Sequence, residues 1–274
     1  MLARIQEELA KAGIETAERE ARWLLEAATG QRTVDQLVMT EVLPGSVVER
    51  ALELTDRRAS GEPLQYVTGV AGFRRLELAV GPGVLIPRPE TEIVAEHAMQ
   101  RLPSGGTIVD VGTGSGAIAL SVADERRDAR VYATEVSETA LGWARKNTID
   151  LQLNVDLVRG DLFDGLPRDL AGHVDVVVSN PPYVSVGDAD TLPPEVVDHE
   201  PEEALFAGTD GLRVIADIGA RARTWLRIGG WLVLEMGFDQ SDALLRLLAD
   251  GGYEEVAAHP DLTGHLRVAE GRHR

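Results

Sequence analysis

Asp110-Val111-Gly112-Thr113-Gly114-Ser115-Gly116 decides the fold of this chain. The stretch follows the apolar Thr107-Ile108-Val109 and opens the run Ala117-Ile118-Ala119-Leu120-Ser121-Val122-Ala123. A strand that turns through glycines into a helix is a ligand-binding unit of α/β sheets. Glycine permits the tight turn and lets the backbone approach a ligand closely. The spacing is G-x-G-x-G rather than the dinucleotide G-x-G-x-x-G, so the loop alone does not choose the ligand. A second feature narrows it. Glu135 closes the next strand, Arg130-Val131-Tyr132-Ala133-Thr134. It stands about 20 residues past the glycines, where such folds set a carboxylate against ribose hydroxyls. Its competing role is a charge at the start of the helix after Ser137.

Outward from the glycines, strands and helices alternate to the end of the chain. Strands are predicted near 107–111, 130–134, 155–159, 174–179, 231–236, 253–258 and 265–270. Helices are predicted near 115–126, 137–150, 210–227 and 240–250. The alternation implies a mostly parallel sheet, covered on both faces, of Rossmann-like build. Residues 184–209, rich in Pro, Asp and Glu, read as a long loop of the kind that serves as a lid.

Asn180-Pro181-Pro182-Tyr183 follows the buried-strand run Val174-Asp175-Val176-Val177-Val178-Ser179. The tetrapeptide therefore falls at a strand's carboxyl end, where open α/β sheets hold ligands. Its residue types suit the alkylation of a conjugated amine. Such a nitrogen is a poor nucleophile, and a site must hold both N–H groups while the lone pair localises. The Asn180 side-chain oxygen and the Pro181 carbonyl can each accept one N–H. Pro181 and Pro182 stiffen the loop, and Tyr183 offers an aromatic face to a planar group. The plainer reading is a proline-rich turn. Asp161-Leu162 lies at the same sheet edge, where the carboxylate can accept from an adenine amine and the leucine can pack on the ring; the alternative is a plain loop carboxylate. Glu235 ends a strand and points either into the site or at a helix terminus.

The bulk properties exclude several classes. The 274 residues suffice for one large domain or two modest ones. There is no cysteine, hence no disulfide or thiolate metal site. The six histidines lack metal-site spacing, and no G-x-S-x-G elbow is present. No apolar run would span a bilayer and no signal-peptide pattern opens the chain, so a cytoplasmic location is expected. A net charge of −18 disfavours nucleic-acid phosphate and favours a basic protein partner.

Residues 1–61 read as a helical module, a candidate for docking a substrate. Leu2, Ile5, Leu9 and Ala12 keep helical spacing. Thr16, Thr33 and Ser46 stand where three further helices would be capped, and Gly30 ends the first of these. Arg57 and Arg58 read as a solvated face. Residues 62–88 form a linker in which Phe73 to Val80 and Val84 to Ile86 read as a hairpin around Gly81-Pro82-Gly83. Residues 89–274 make up the catalytic domain, which opens on a helix from Pro89 to Arg101.

These motifs together resemble one family, the bacterial-type glutamine methyltransferases that modify peptide-chain release factors. The resemblance runs along the whole chain. It includes Glu62-Pro63-Leu64-Gln65-Tyr66, Val84-Leu85-Ile86-Pro87-Arg88-Pro89-Glu90-Thr91-Glu92, Asp110 to Gly116 and Asn180 to Tyr183. It extends over Glu200-Pro201 to Leu212, Leu234-Glu235-Met236-Gly237 and Asp261 to Val268. Asn-Pro-Pro-Tyr alone is shared with adenine-amine methyltransferases of DNA and RNA, which are the alternative assignment. A further rival is a cofactor-binding module without activity. The resemblance implies a helical N-terminal domain, a hairpin linker and a seven-stranded, class I S-adenosylmethionine-dependent methyltransferase domain. It implies that Gly112, Thr113, Gly114, Ser115, Gly116, Glu135, Leu162 and Asn180 surround S-adenosylmethionine, to which the sheet-edge position adds Asp161. It sets Asn180, Pro181, Pro182 and Tyr183 around the substrate glutamine of a release factor's Gly-Gly-Gln motif. Three positions depart from patterns in the family: Glu135 stands where Asp is frequent, Leu162 where some members have an aromatic residue, and Ala207 interrupts a stretch that often carries two glycines.

Overall fold

The computed structural model describes residues 1–31 and 43–274, which fall into two compact units. The helix expected after Thr33 lies outside the described residues. The first unit comprises residues 1–70, 80–82 and 193–199. It contains α1 (Leu2–Lys11), α2 (Ala17–Thr29), α3 (Gly45–Ala59) and α4 (Leu64–Thr68). Residues three and four apart place Ile5, Leu9, Ala21, Leu24, Leu25, Ala51 and Leu54 on facing stripes, and these form its core with Val67. Gly30 closes α2 in the left-handed conformation at φ 68°, as its lack of a side chain permits.

Three local expectations are corrected here. Thr16 makes no capping bond; its hydroxyl donates instead to Glu20 at 2.6 Å. Ser46 is not the cap of α3, which starts one residue earlier behind Pro44. Arg58 is not a solvated face. Its side chain is only 11% exposed and bridges Glu20 at 2.7 Å and Glu195 at 2.9 Å. Glu195 comes from a short helix, α8 (Pro194–His199), far along the chain, so a local reading could not supply the partner.

The second unit begins with a hairpin, β1 (Val70–Phe73) paired with β2 (Leu76–Ala79). This corrects the predicted strands: the turn is Arg74-Arg75, not Gly81-Pro82-Gly83, and Val84 to Ile86 is not a strand. Tertiary contacts outweigh glycine chemistry. Arg74 sits at φ 51°, its amide donates to Glu92, and its guanidinium pairs with Glu96 and Glu125. The Ile86 amide finds its acceptor in the Glu200 carboxylate at 3.1 Å rather than in a neighbouring strand. The predicted loop 184–209 is also partly ordered. It holds a 3-10 turn at Val186–Thr191, then α8, then α9 (Glu202–Leu205).

After α5 (Thr91–Arg101), the chain alternates as expected: β3 (Thr107–Val111), α6 (Ala117–Glu125), β4 (Arg130–Glu135), α7 (Glu138–Asp150), β5 (Asp156–Arg159) and β6 (Val174–Ser179). It continues through α10 (Arg213–Trp225), β7 (Leu226–Glu235), α11 (Ser241–Asp250), β8 (Tyr253–Pro260) and β9 (Leu266–His273). The sheet has seven strands in the order β5-β4-β3-β6-β7-β9-β8. Only the pairs made by β9 are antiparallel.

Alternation along the central strands builds two cores from one apolar run. Ile108, Val176 and Val178 face α5 and α6, with Val94, Ala98 and Leu120. Val109, Val111 and Val177 face α10 and α11, with Ile215, Ile218, Leu244 and Leu248. The strand order reverses between β3 and β6. A crevice opens there, at the carboxyl ends of the strands.

Candidate active site

A cavity of about 560 Å³ occupies that crevice. Its wall combines the glycine-rich loop after β3, the end of β4, residues 160–162 after β5 and residues 179–182 after β6. Leu85, Pro87 and Thr91 close one side, and Arg213, Asp217 and Arg221 of α10 another.

The glycine loop is held by its own backbone. Gly112 and Thr113 both donate to the Thr134 carbonyl at 2.9 Å, which ties the loop to β4. Gly112, Gly114 and Gly116 all have positive φ. At Gly116 φ is 89°, a conformation that strains any residue with a side chain, and a Cβ there would also press on the Leu120 side chain at 2.8 Å. Asp110, the last polar residue of β3, is buried. Its Oδ2 accepts from Thr113 at 2.6 Å and from the Ala119 amide at 3.1 Å, while Oδ1 is without a partner among the described residues. Burial pushes the Asp110 carboxyl up to about 7 against the pull of those two hydrogen bonds.

Glu135 lines the cavity with a carboxylate already committed on both oxygens. One accepts from Gly114 and the other from Ser137, each at 2.9 Å. A carboxylate has further lone pairs, so room remains for two more donors. Beside it, Leu162 adopts φ 53°, an unusual conformation for a leucine and one stored at the cavity wall. Val136 adds an exposed apolar patch to the same wall.

The Asn180 side chain stands at the cavity end of a chain of hydrogen bonds that runs inward to the buried Glu235. Its Nδ2 donates to Thr91 Oγ1 at 3.1 Å. Thr91 donates in turn to Glu235 Oε2 at 2.6 Å, and the Tyr183 hydroxyl donates to Glu235 Oε1 at 3.2 Å. Burial pushes Glu235 up to about 7, against these two donors and the Arg267 charge; Glu90 adds a smaller upward push. Burial first, and then the Glu235 charge, raises the Tyr183 hydroxyl well above its ordinary value. Before the tetrapeptide, Ser179 donates to the Val111 carbonyl at 2.6 Å and so locks β6 to β3 at the crevice.

The structure thus brings Gly112 to Gly116, Glu135, Asp161, Leu162, Asn180, Pro181 and Pro182 around one cavity. Tyr183 is not among the described residues that line it; its ring packs on the second core and its hydroxyl on Glu235. Sequence reading did not assign roles to Asp110, Thr91, or the α10 residues Arg213, Asp217 and Arg221. The 3.6-residue spacing of Arg213, Asp217 and Arg221 was the one signal that α10 turns a polar stripe to the site. His97, His259 and Glu270 also converge, with ligand atoms within 4.8 Å of one another, although no linear spacing joins α5 to β8 and β9. Glu270 is there already paired with Arg101.

Comparison with known proteins identifies the fold and the family. A methyltransferase from Pyrococcus furiosus has the same fold, with a TM-score of 0.55 at 22% identity over 72% of this chain and 88% of its own. Residues 1–69 match the PrmC N-terminal domain and residues 89–204 the methyltransferase small domain. The release factor glutamine methyltransferase of Neisseria gonorrhoeae is 42% identical over 93% of both chains. That of Streptomyces coelicolor is 45% identical over 81% of this chain and 80% of its own. The chain belongs to the release factor glutamine methyltransferase family.

Proposed function

We propose that this protein transfers a methyl group from S-adenosylmethionine to the side-chain amide nitrogen of the glutamine in the Gly-Gly-Gln motif of peptide-chain release factors. One observation carries the reading: Asn180 lines the cavity and its amide gives an N–H to Thr91, which leaves its oxygen to accept from a substrate. Together with the Pro181 carbonyl, that oxygen can hold the two N–H groups of a primary amide. As the nitrogen is alkylated, positive charge develops on it, and two fixed acceptors in a dry cleft stabilise that charge without reorganising.

The residues present fit S-adenosylmethionine. Asp110 Oδ1 is a buried acceptor with no partner among the described residues, suited to a donor of the ligand. The free lone pairs of Glu135 suit ribose hydroxyls, and Val136, Leu162 and Ile118 offer apolar surface to a flat ring, with Asp161 at its edge. When bound, the cofactor supplies a methyl group already activated on a sulfonium. The protein's share is then to orient the amide and exclude water.

Residues 1–61 act as the docking module, residues 62–88 as the linker and residues 89–274 as the catalytic domain of a cytoplasmic monomer. The acidic balance of the chain favours a basic protein surface over a polyanion. Among the described residues, no helix is long and apolar enough to cross a membrane. Labelled S-adenosylmethionine, offered with a release factor, with an adenine-containing oligonucleotide or with neither, tests the reading. Label is expected in the release factor alone; label in the oligonucleotide would transfer the assignment to an adenine-amine methyltransferase.

A further inference from the structure

The structure assigns Thr91 and Glu235 as positioning residues that fix which face of the Asn180 amide meets the substrate. A threonine hydroxyl has one proton. Here it is given to Glu235 Oε2 at 2.6 Å, and the ionised carboxylate, the form that prevails above about pH 7, can only accept. The Thr91 oxygen is thereby left with lone pairs alone, and the Asn180 group that meets it at 3.1 Å must be the donor, Nδ2. The direction of one buried proton thus sets the amide rotamer two links away.

The alternative rotamer would have a chemical consequence. With the amide flipped, Asn180 would present N–H groups to the cavity. These would face the N–H groups of the substrate amide, and no acceptor would stand at that position. Rotation of an unanchored Asn amide carries little intrinsic cost, so the choice must come from its surroundings. Thr91 and Glu235 are suited to make it because both are buried, at 3% and 1% exposure. Tyr183 fills the remaining Glu235 oxygen at 3.2 Å, and its carbonyl is held by Gln240 at 2.9 Å. The carboxylate is therefore fixed from two sides, and Tyr183 joins the positioning chain through its hydroxyl. The three links come from separate elements: Thr91 opens α5, Asn180 follows β6 and Glu235 ends β7.

The assignment rests on the amide-methylation reading and is tested within it, by single-turnover methyl transfer to a release factor. Thr91→Val keeps the shape and removes the hydroxyl. It is expected to slow transfer about tenfold or more, the scale of one lost buried hydrogen bond, with unchanged affinity for S-adenosylhomocysteine. Thr91→Ser, which restores the hydroxyl, should recover most of the rate. In an Asn180→Ala background, Thr91→Val should change the rate by less than about twofold, because its effect passes through Asn180. Full activity in Thr91→Val, failure of Thr91→Ser to recover, or additive losses in the double variant would each overturn the assignment. On the wild-type protein, the Asn180 side-chain N–H₂ resonance, identified by its loss in Asn180→Ala, should exchange slowly with solvent. Exchange as fast as that of an exposed asparagine would overturn it as well. An inactive wild type would instead count against the proposed activity and leave the NMR result to judge the amide's anchorage.

Discussion

Two buried carboxylates, Asp110 and Glu235, border the site, and burial holds both near 7. Their consequence for stability has a definite sign. A carboxyl whose folded pKa lies above its unfolded value binds more protons in the fold, so stability falls as pH rises between the two values. For Glu235 the window runs from about 4.5 to about 7. The groups that face it are Thr91, Tyr183, Arg267 and Glu90, and burial outweighs their joint effect. Glu235→Gln removes the titration. In urea unfolding, the variant should gain on the wild type between pH 5 and pH 8, by at most about 3 kcal/mol. An equal difference at both pH values would show that Glu235 does not titrate in that range. Glu135 offers a second test. If it accepts two ribose hydroxyls, Glu135→Ala should raise the Kd for S-adenosylmethionine by about 100-fold or more in calorimetric titration. Unchanged affinity would remove it from the site. At this scale the sequence was informative where chemistry is local. The glycines, Glu135 and Asn180 are bound to motifs with short spacing. Thr91 was named without a role and Glu235 with two alternatives, because their partnership spans 144 residues.

The central strands were legible because each is a short run dominated by apolar residues, and β3, β4 and β6 fall within a residue of the expected bounds. The hairpin was not. Gly81-Pro82-Gly83 carries stronger local turn chemistry than Arg74-Arg75, yet the ion pairs of Arg74 with Glu96 and Glu125 fix the turn where it is. The order within residues 184–209 escaped for a related reason, since its helices are only six and four residues long and show no period. One side chain links the hairpin to the site. Asn147 of α7 accepts from the Ala79 amide at 2.7 Å and donates to the carbonyls of Ala79 and Ser115, at 3.0 and 2.9 Å. Asn147→Ala would leave β2 and the glycine loop with unpaired polar groups. It is expected to destabilise the protein by about 2–4 kcal/mol and to weaken cofactor binding along with it. A denaturant midpoint within error of the wild type would show that water replaces the amide there at no cost.

Across the whole molecule, the acidic excess of 45 carboxylates over 27 basic groups is the property that bears on partner choice. A release factor works against ribosomal RNA, so the surroundings of its Gly-Gly-Gln loop are expected to be basic. Opposite fields steer encounter more than they tighten the final complex, and salt screens them over roughly 10 Å at 0.1 M. The kcat/KM for an intact release factor should therefore fall as salt rises, with kcat under saturation nearly constant. A kcat/KM indifferent to salt would leave the net charge a matter of solubility. The central claim concerns which atom receives the methyl group, and mass spectrometry of the treated release factor reads that directly. The account predicts a single added methyl on the side chain of the glutamine in Gly-Gly-Gln, absent when Asn180→Ala is used for the same short time. A methyl group on lysine, arginine or a backbone site, or on adenine in a competing nucleic acid while the glutamine stays unmodified, would contradict it.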